Sequence, residues 1–401
     1  MSSTQTGRLH VTEAGDGQAF LVAAAQHNTN APLVAAETYA QLGETLNKRG
    51  MAIVQERIFG SVSVTQEVMA ARKRAFQERN IPTDTPLTYI EGRPLRGTGL
   101  AGVIVRAVAS TKPGDDVWTI TDEGQPCGRG WRRNGTTFII LQNIQGIDKG
   151  PSRIEAPSMQ ATRVIERAEE ILDKQGLTYR DVVRTWFYLA DILKWYDEFN
   201  EARNTKYRDY GIMPESMSDS LSLPASTGIE GISPERAACT MDLVATASNI
   251  ENRPAVDHLR NESQRDAYCY GAAFSRGAFI REKDVSLIEV SGTAAIGPTG
   301  LSLFKNDIRA QIEYTLVTIE KLIAQRGARL EDICAGTVFL KHPEHEAAYR
   351  EIAEERGLDD FPCLCVVADI CREELLFEID AEVAFDRFQS HSHANRQAIK
   401  I

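Results

Sequence analysis

The chain has 401 residues, 42% of them hydrophobic, enough for two or three cores of ordinary domain size. Its 56 acidic residues outnumber 45 basic ones, and the formal charge of −11 is spread along the chain, which argues against attraction to nucleic acid or an anionic membrane. No run approaches the roughly eighteen apolar residues that cross a bilayer, and residues 1–6 have no apolar leader core, so a cytoplasmic protein is expected.

The seven cysteines, Cys127, Cys239, Cys269, Cys334, Cys363, Cys365 and Cys371, are odd in number and lack the regular spacing of a disulfide framework. Reduced thiols are the simplest reading. Cys363-Leu364-Cys365 followed by Cys371 has no second pair at zinc-knuckle spacing, so no metal is expected.

In chain order, residues 36–49 carry a helical pattern ended by Gly50, and a strand covers 102–108. The run Gly97-Thr98-Gly99-Leu100-Ala101-Gly102 matches a dinucleotide fingerprint, but a β-rich stretch follows where a helix should begin, which makes it a turn. Residues 111–133, rich in Gly, Asp, Lys and Arg and containing Pro126, read as a linker or hairpin. A strand at 137–144 precedes a helix at 160–174, where Val164, Ile165, Ala168, Ile171 and Leu172 recur at helical spacing before Gly176. A strand at 182–189, a helix at 195–210 and a strand at 238–246 follow. The same succession returns at 286–291, at a helix ending before Gly327, and at 333–340, 345–356 and 375–385. His342 and His345 sit at a loop and helix start, and His391 and His393 in a polar tail, without a further metal ligand nearby.

A constant offset places Gln160 on Gln311, Glu169 on Glu320, Gly176 on Gly327, Asp181 on Asp332 and Leu189 on Leu340. The repeating unit is therefore β-α-β-α-β. The first hundred residues form a degenerate copy: Ala71-Arg72 resembles Ala202-Arg203, and Ile90-Glu91-Gly92 matches Ile229-Glu230-Gly231. The expected division is a first unit at 1–110, a linker at 111–133, units at 134–248 and 249–387, and a tail at 388–401. A sheet with helices on one side leaves an apolar face, and packing three such faces round an axis would bury it. One chain would then form a pseudo-trimer, with further association of chains left open.

Val290-Ser291-Gly292-Thr293, a helix containing Gln311, Gly327 followed by Asp332, and Glu378-Ile379-Asp380-Ala381 together resemble the RidA (YjgF) family. The resemblance implies an α+β fold of three repeated RidA/YjgF-like (chorismate-mutase-like) units, without a cofactor. RidA-type enamine and imine deaminases hold a substrate carboxylate with an arginine after a proline on the penultimate strand. The matching stretches here are Pro86-Leu87-Thr88, Pro224-Ala225-Ser226 and Pro362-Cys363-Leu364, and no copy keeps that arginine. Serine or leucine cannot replace a bidentate guanidinium, which opposes the deaminase reading.

Across roughly residues 130–386 the chain also resembles chorismatases, through Arg184-Thr185-Trp186, Tyr268-Cys269-Tyr270-Gly271 with Phe274-Ser275-Arg276, and Ala368-Asp369-Ile370-Cys371-Arg372 before Glu378. This resemblance implies a hydrolase or lyase that removes the enolpyruvyl group of chorismate, or of a related small cyclic carboxylate, and releases pyruvate. Glu378 would be the acid, Cys371 a pocket residue influencing the product, and Arg184, Tyr270 and Ser275 substrate contacts, with Tyr268 beside them. The direct join Gly271-Ala272-Ala273-Phe274 is shorter than the usual proline- and arginine-containing loop, which keeps a non-catalytic carboxylate-binding role open.

The residues support part of this independently. Alternation at 375–385 puts Phe377, Ile379, Ala381 and Val383 on one face and Glu378 and Asp380 on the other. Two carboxylates in a dry pocket raise one another's pKa and create a proton donor, although the pattern alone equally fits a solvated edge strand. Arg184, among Val182, Val183, Trp186 and Phe187, needs an anion or an acidic partner. Tyr268 and Tyr270 alternate as in a strand, with core packing as the other outcome.

Overall fold

The computed structural model describes residues 7–15, 17–25, 30–97, 99–109, 116–133, 135–147, 156–216, 219, 222–248, 256–282, 285–385 and 396–400. The first unit contains β1 (Gly7–Ala14), β2 (Gln18–Ala25), α1 (Ala31–Arg49), β3 (Met51–Gly60), α2 (Thr65–Gln77), β4 (Thr88–Glu91) and β5 (Leu100–Ala109). The second contains β6 (Val117–Asp122), β7 (Gln125–Arg133), β8 (Thr136–Gln145), α3 (Pro157–Lys174), β9 (Val182–Leu189), α4 (Tyr196–Asp209), β10 (Ala225–Glu230) and β11 (Cys239–Ser248). The third contains β12 (Val256–Leu259), β13 (Gly277–Arg281), β14 (Ser286–Ala294), α5 (Ile308–Ala324), β15 (Ile333–Leu340), α6 (Glu346–Glu355), β16 (Cys363–Val367) and β17 (Phe377–Phe385).

Each unit builds a six-stranded sheet, and the α+β architecture of three repeated units is the one the sequence pattern predicts. The five-element core of each unit is extended by strands the pattern did not register. A short penultimate strand, β4, β10 or β16, pairs in parallel with β3, β9 or β15. Outer antiparallel strands complete each sheet, and β18 (Arg396–Lys400), from the polar tail, joins β1 in the first. The β6–β7 hairpin, from the stretch read as a linker or hairpin, forms the edge of the second. Gly50, Gly176 and Gly327 follow their helices with φ of 61°, 76° and 83°, a left-handed backbone that a Cβ disfavours.

The three sheets share a register mark. One residue is skipped in the central antiparallel pairing after Ile53, after Val182 and after Ile333. This bulge aligns Gln55 with Arg184 and Ala335, and then Glu56 with Thr185 and Gly336.

Each sheet turns one face to its own helices. In the third unit Ile312, Leu316 and Ile319 of α5 pack on Ile288, Val338 and Ile379. The opposite faces meet in a common core that joins Phe20 and Phe59 to Trp131, Trp186 and Tyr188 and to Leu287 and Phe339. Burying each such large side chain contributes roughly 1.5–3 kcal/mol. The units also close a ring of backbone hydrogen bonds at their penultimate strands. The amide of Glu91 donates to the carbonyl of Ile232 (2.8 Å), that of Glu230 to Asp369 (3.0 Å) and that of Val367 to Arg93 (2.9 Å). First unit meets second, second meets third, and third meets first. Among the described residues, no helix is long and apolar enough to cross a membrane.

Candidate active site

Between the second and third units lies a cavity of about 460 Å³. Residues of α4 and Ser226 of β10 form one side, Tyr270, Ala272, Phe274 and Arg276 the other, and Glu378 of β17 with Gly292 of β14 the floor.

The floor follows from strand alternation. Phe377, Ile379, Ala381 and Val383 face the helices, so Glu378 and Asp380 face the neighbouring unit. Their surroundings then separate them. The Asp380 carboxylate accepts hydrogen bonds from Trp186 Nε1 (2.9 Å), Thr227 Oγ1 (3.0 Å), Arg184 Nη2 (3.2 Å) and the Thr337 amide (3.2 Å). Glu378 is only 4% exposed, and burial with the adjacent Asp380 charge pushes its pKa up to about 8 against the pull of Arg184 and Arg276. One carboxylate is held among donors, while the other lines the cavity. Gly292 makes room for it, because a Cβ there would lie 2.2 Å from Glu378 Oε1.

Cys371 and Tyr270 also line the cavity. Burial, with Glu378 nearby, pushes the Cys371 thiol up to about 12, and Tyr196 hydrogen-bonds to it. The Tyr270 hydroxyl accepts from Arg276 Nη2 (2.8 Å), and the Arg372 guanidinium lies 5.2 Å from its ring centre. Ala267–Tyr270 is a single 3-10 turn ended by Gly271 at φ 98°, and not the alternating strand expected. Consequently Tyr268 turns away to meet Arg260 Nη1 at 3.2 Å and does not line the cavity.

Arg184 and Ser275 are likewise outside the lining. Arg184 is fully buried behind the floor, ion-paired with Asp380 and 4.3 Å from the centre of the Trp186 ring. Ser275 belongs to the seam between units. Its hydroxyl donates to Gly277 O (3.0 Å), its amide donates to Pro224 O (3.0 Å), and its carbonyl accepts from Ser291 Oγ (2.6 Å).

Three residues without a predicted role stand in the cavity wall: Arg203, Arg276 and Arg372. None has an acidic ion-pair partner among the described residues, and Nε of both Arg203 and Arg276 is buried without a hydrogen bond. Arg276 and Arg372 lie in the motifs Phe274-Ser275-Arg276 and Cys371-Arg372, and Arg203 in the repeated Ala-Arg pair, so the signal was present without the geometry. The short join after Tyr270 is fastened to α4: Asn204 Nδ2 donates to Gly271 O (2.7 Å), and the Ala273 amide donates to Asn204 Oδ1 (3.2 Å).

Among the described residues no group of three or more His, Cys, Asp or Glu is arranged to hold a metal ion; His391 and His393 lie outside them. Such a cavity suits a small anion and a proton transfer.

Residues 272–385 match the family model described as Endoribonuclease L-PSP. The chain is 28% identical to a chorismatase of Streptomyces rapamycinicus over 333 residues, covering 75% of this chain and 93% of that protein. A chorismatase crystal structure matches with a TM-score of 0.57 at 18% identity, over 83% of this chain and 93% of that one. A Mycobacterium tuberculosis member of the YjgF/YER057c/UK114 family matches at 22% identity over 33% of this chain and 100% of its own, with a TM-score of 0.27. The third unit thus carries the RidA-type signature, and the chain as a whole is similar to a chorismatase in sequence and has the chorismatase fold.

Proposed function

We propose that this cavity removes the enolpyruvyl group from chorismate or a related small cyclic carboxylate, with Glu378 as the proton donor. The observation that carries the reading is a carboxyl that burial and the Asp380 charge push up to about 8, in a cavity walled by three arginines with no acidic ion-pair partner among the described residues. The arginines would take the substrate carboxylates and hold the enol ether over the floor. Glu378 would then give its proton to the methylene carbon, leaving an oxocarbenium that water captures. The hemiketal so formed breaks its bond to the ring oxygen, yielding pyruvate and a ring alcohol, and the proton released returns to Glu378. Imine hydrolysis of the RidA type is less well supported, since β4, β10 and β16 carry no arginine. The seven cysteines read as reduced thiols, which suit a reducing, cytoplasmic setting.

The test is pyruvate release from chorismate by the purified protein, followed through lactate dehydrogenase. The Glu378→Gln variant keeps the side-chain shape but has no acidic proton. It should lose about 10²–10⁴-fold in rate while still binding chorismate by calorimetry. Pyruvate release at the parental rate from the glutamine variant would contradict the reading.

A further inference from the structure

We infer that Arg203 on α4 is a carboxylate clamp created by loss of an internal counter-charge, and that it selects substrates bearing an anionic group at that end of the cavity. The inference rests on the reading that the cavity binds carboxylates, and it comes from comparing two copies of the same unit within one chain.

The helix after the third strand of the first unit carries Ala71-Arg72, and the corresponding helix of the second carries Ala202-Arg203. Both guanidiniums are buried. Arg72 is neutralised from within its own sheet. Its Nε and Nη2 grip Glu56 of β3 at 2.8–3.0 Å, and Nη1 donates to Thr83 O at 2.8 Å. Thr85 Oγ1 completes its set of acceptors.

The bulge register puts Thr185 of β9 where the first unit has Glu56. With threonine in place of that carboxylate, the partners of Arg203 among the described residues are neutral, Asn200 Oδ1 (2.6 Å) and Ser226 Oγ (3.4 Å). Its Nε is unpartnered, although the residue is 1% exposed. Phe187, Phe199 and Phe274 surround the guanidinium at 5.9, 5.0 and 5.6 Å, which limits the water that could replace the missing anion. The same arginine lines the cavity. A buried, oriented cation that lines a ligand site binds an anion strongly when no carboxylate is paired with it, and among the described residues none pairs with Arg203. The copy carrying Glu56 shows the chemistry this arginine position accepts: a planar carboxylate held by two donors.

Calorimetry in the Glu378→Gln background, where turnover is blocked, decides the matter with chorismate as probe. Arg203→Gln should weaken binding at least tenfold. Thr185→Glu, which restores the first unit's internal carboxylate, should do the same while keeping or raising the melting temperature. Parental chorismate affinity in folded Arg203→Gln protein would overturn the inference and leave the enzyme reading intact. Should the parent fail to bind chorismate, the substrate reading falls instead, and the rigid dicarboxylate isophthalate serves as probe. Isophthalate binding lost in Arg203→Gln would uphold the clamp. Binding unchanged by that substitution, or absent from the parent, would refute it.

Discussion

At the scale of single residues, the candidate site depends on two carboxylates two positions apart being treated differently. Four donors surround Asp380, whereas Glu378 has burial and a neighbouring charge that favour its protonated form. The position of Glu378 depends in turn on a missing side chain. Gly292→Ala would place a methyl group 2.2 Å from Glu378 Oε1 and force the carboxyl aside. A displacement near 1 Å costs about 10²-fold in rate, so kcat should fall by that order in steady-state assays while thermal unfolding shifts only modestly. Much of this was legible: alternation alone put Glu378 and Asp380 on one face, and Cys371 and Tyr270 were singled out from motifs. What alternation cannot show is which buried arginine meets an acid. Arg184 is paired with Asp380 behind the floor, while Arg203, Arg276 and Arg372 have no such partner among the described residues, because pairing depends on contacts between units far apart in sequence.

At the scale of elements, the long periodic segments were readable and the short ones were not. Strands β9 and β15 have the bounds their β-rich runs predict, since eight consecutive strand-forming residues leave little ambiguity. By contrast β4, β10 and β16 have four to six residues and follow prolines, and their pairing is parallel to a distant partner. No local period marks such a strand. Tyr268 and Tyr270 mimic alternation over too short a span to separate a strand from a 3-10 turn, and the left-handed Gly271 closes the turn. The shared bulge was invisible as well, since a single skipped residue leaves no local mark in the sequence. It is also the register mark that makes Glu56 and Thr185 equivalent.

At the scale of the whole molecule, three sheets bury both apolar area and charge between them. Arg57 pairs with Glu382 (3.0 Å) and Arg106 with Glu289 (3.5 Å), each pair joining the first unit to the third. Burial, together with Glu382 opposite it, pushes Glu289 up to about 7, and burial pushes Asp242 up to about 6. With Glu378 near 8, these acids bind their protons more tightly folded than unfolded. Their contribution to stability is complete below the unfolded carboxyl range near 4 and is lost as pH rises through the folded values. The melting temperature should therefore fall between pH 5 and pH 8.5, and Glu289→Gln should flatten that decline. A melting temperature that rises across this interval in the parent would show that these acids are paired more fully than the structure indicates.

The most direct test of Glu378 as acid is the pH dependence of kcat/KM for pyruvate release from chorismate between pH 5.5 and 9.5. An acid with a pKa near 8 predicts a plateau at neutral pH and a tenfold loss per unit above about 8, with no such limb left to measure in Glu378→Gln. Activity that climbs through pH 8, or an alkaline limb that survives in the glutamine variant, would mean that the proton comes from another group.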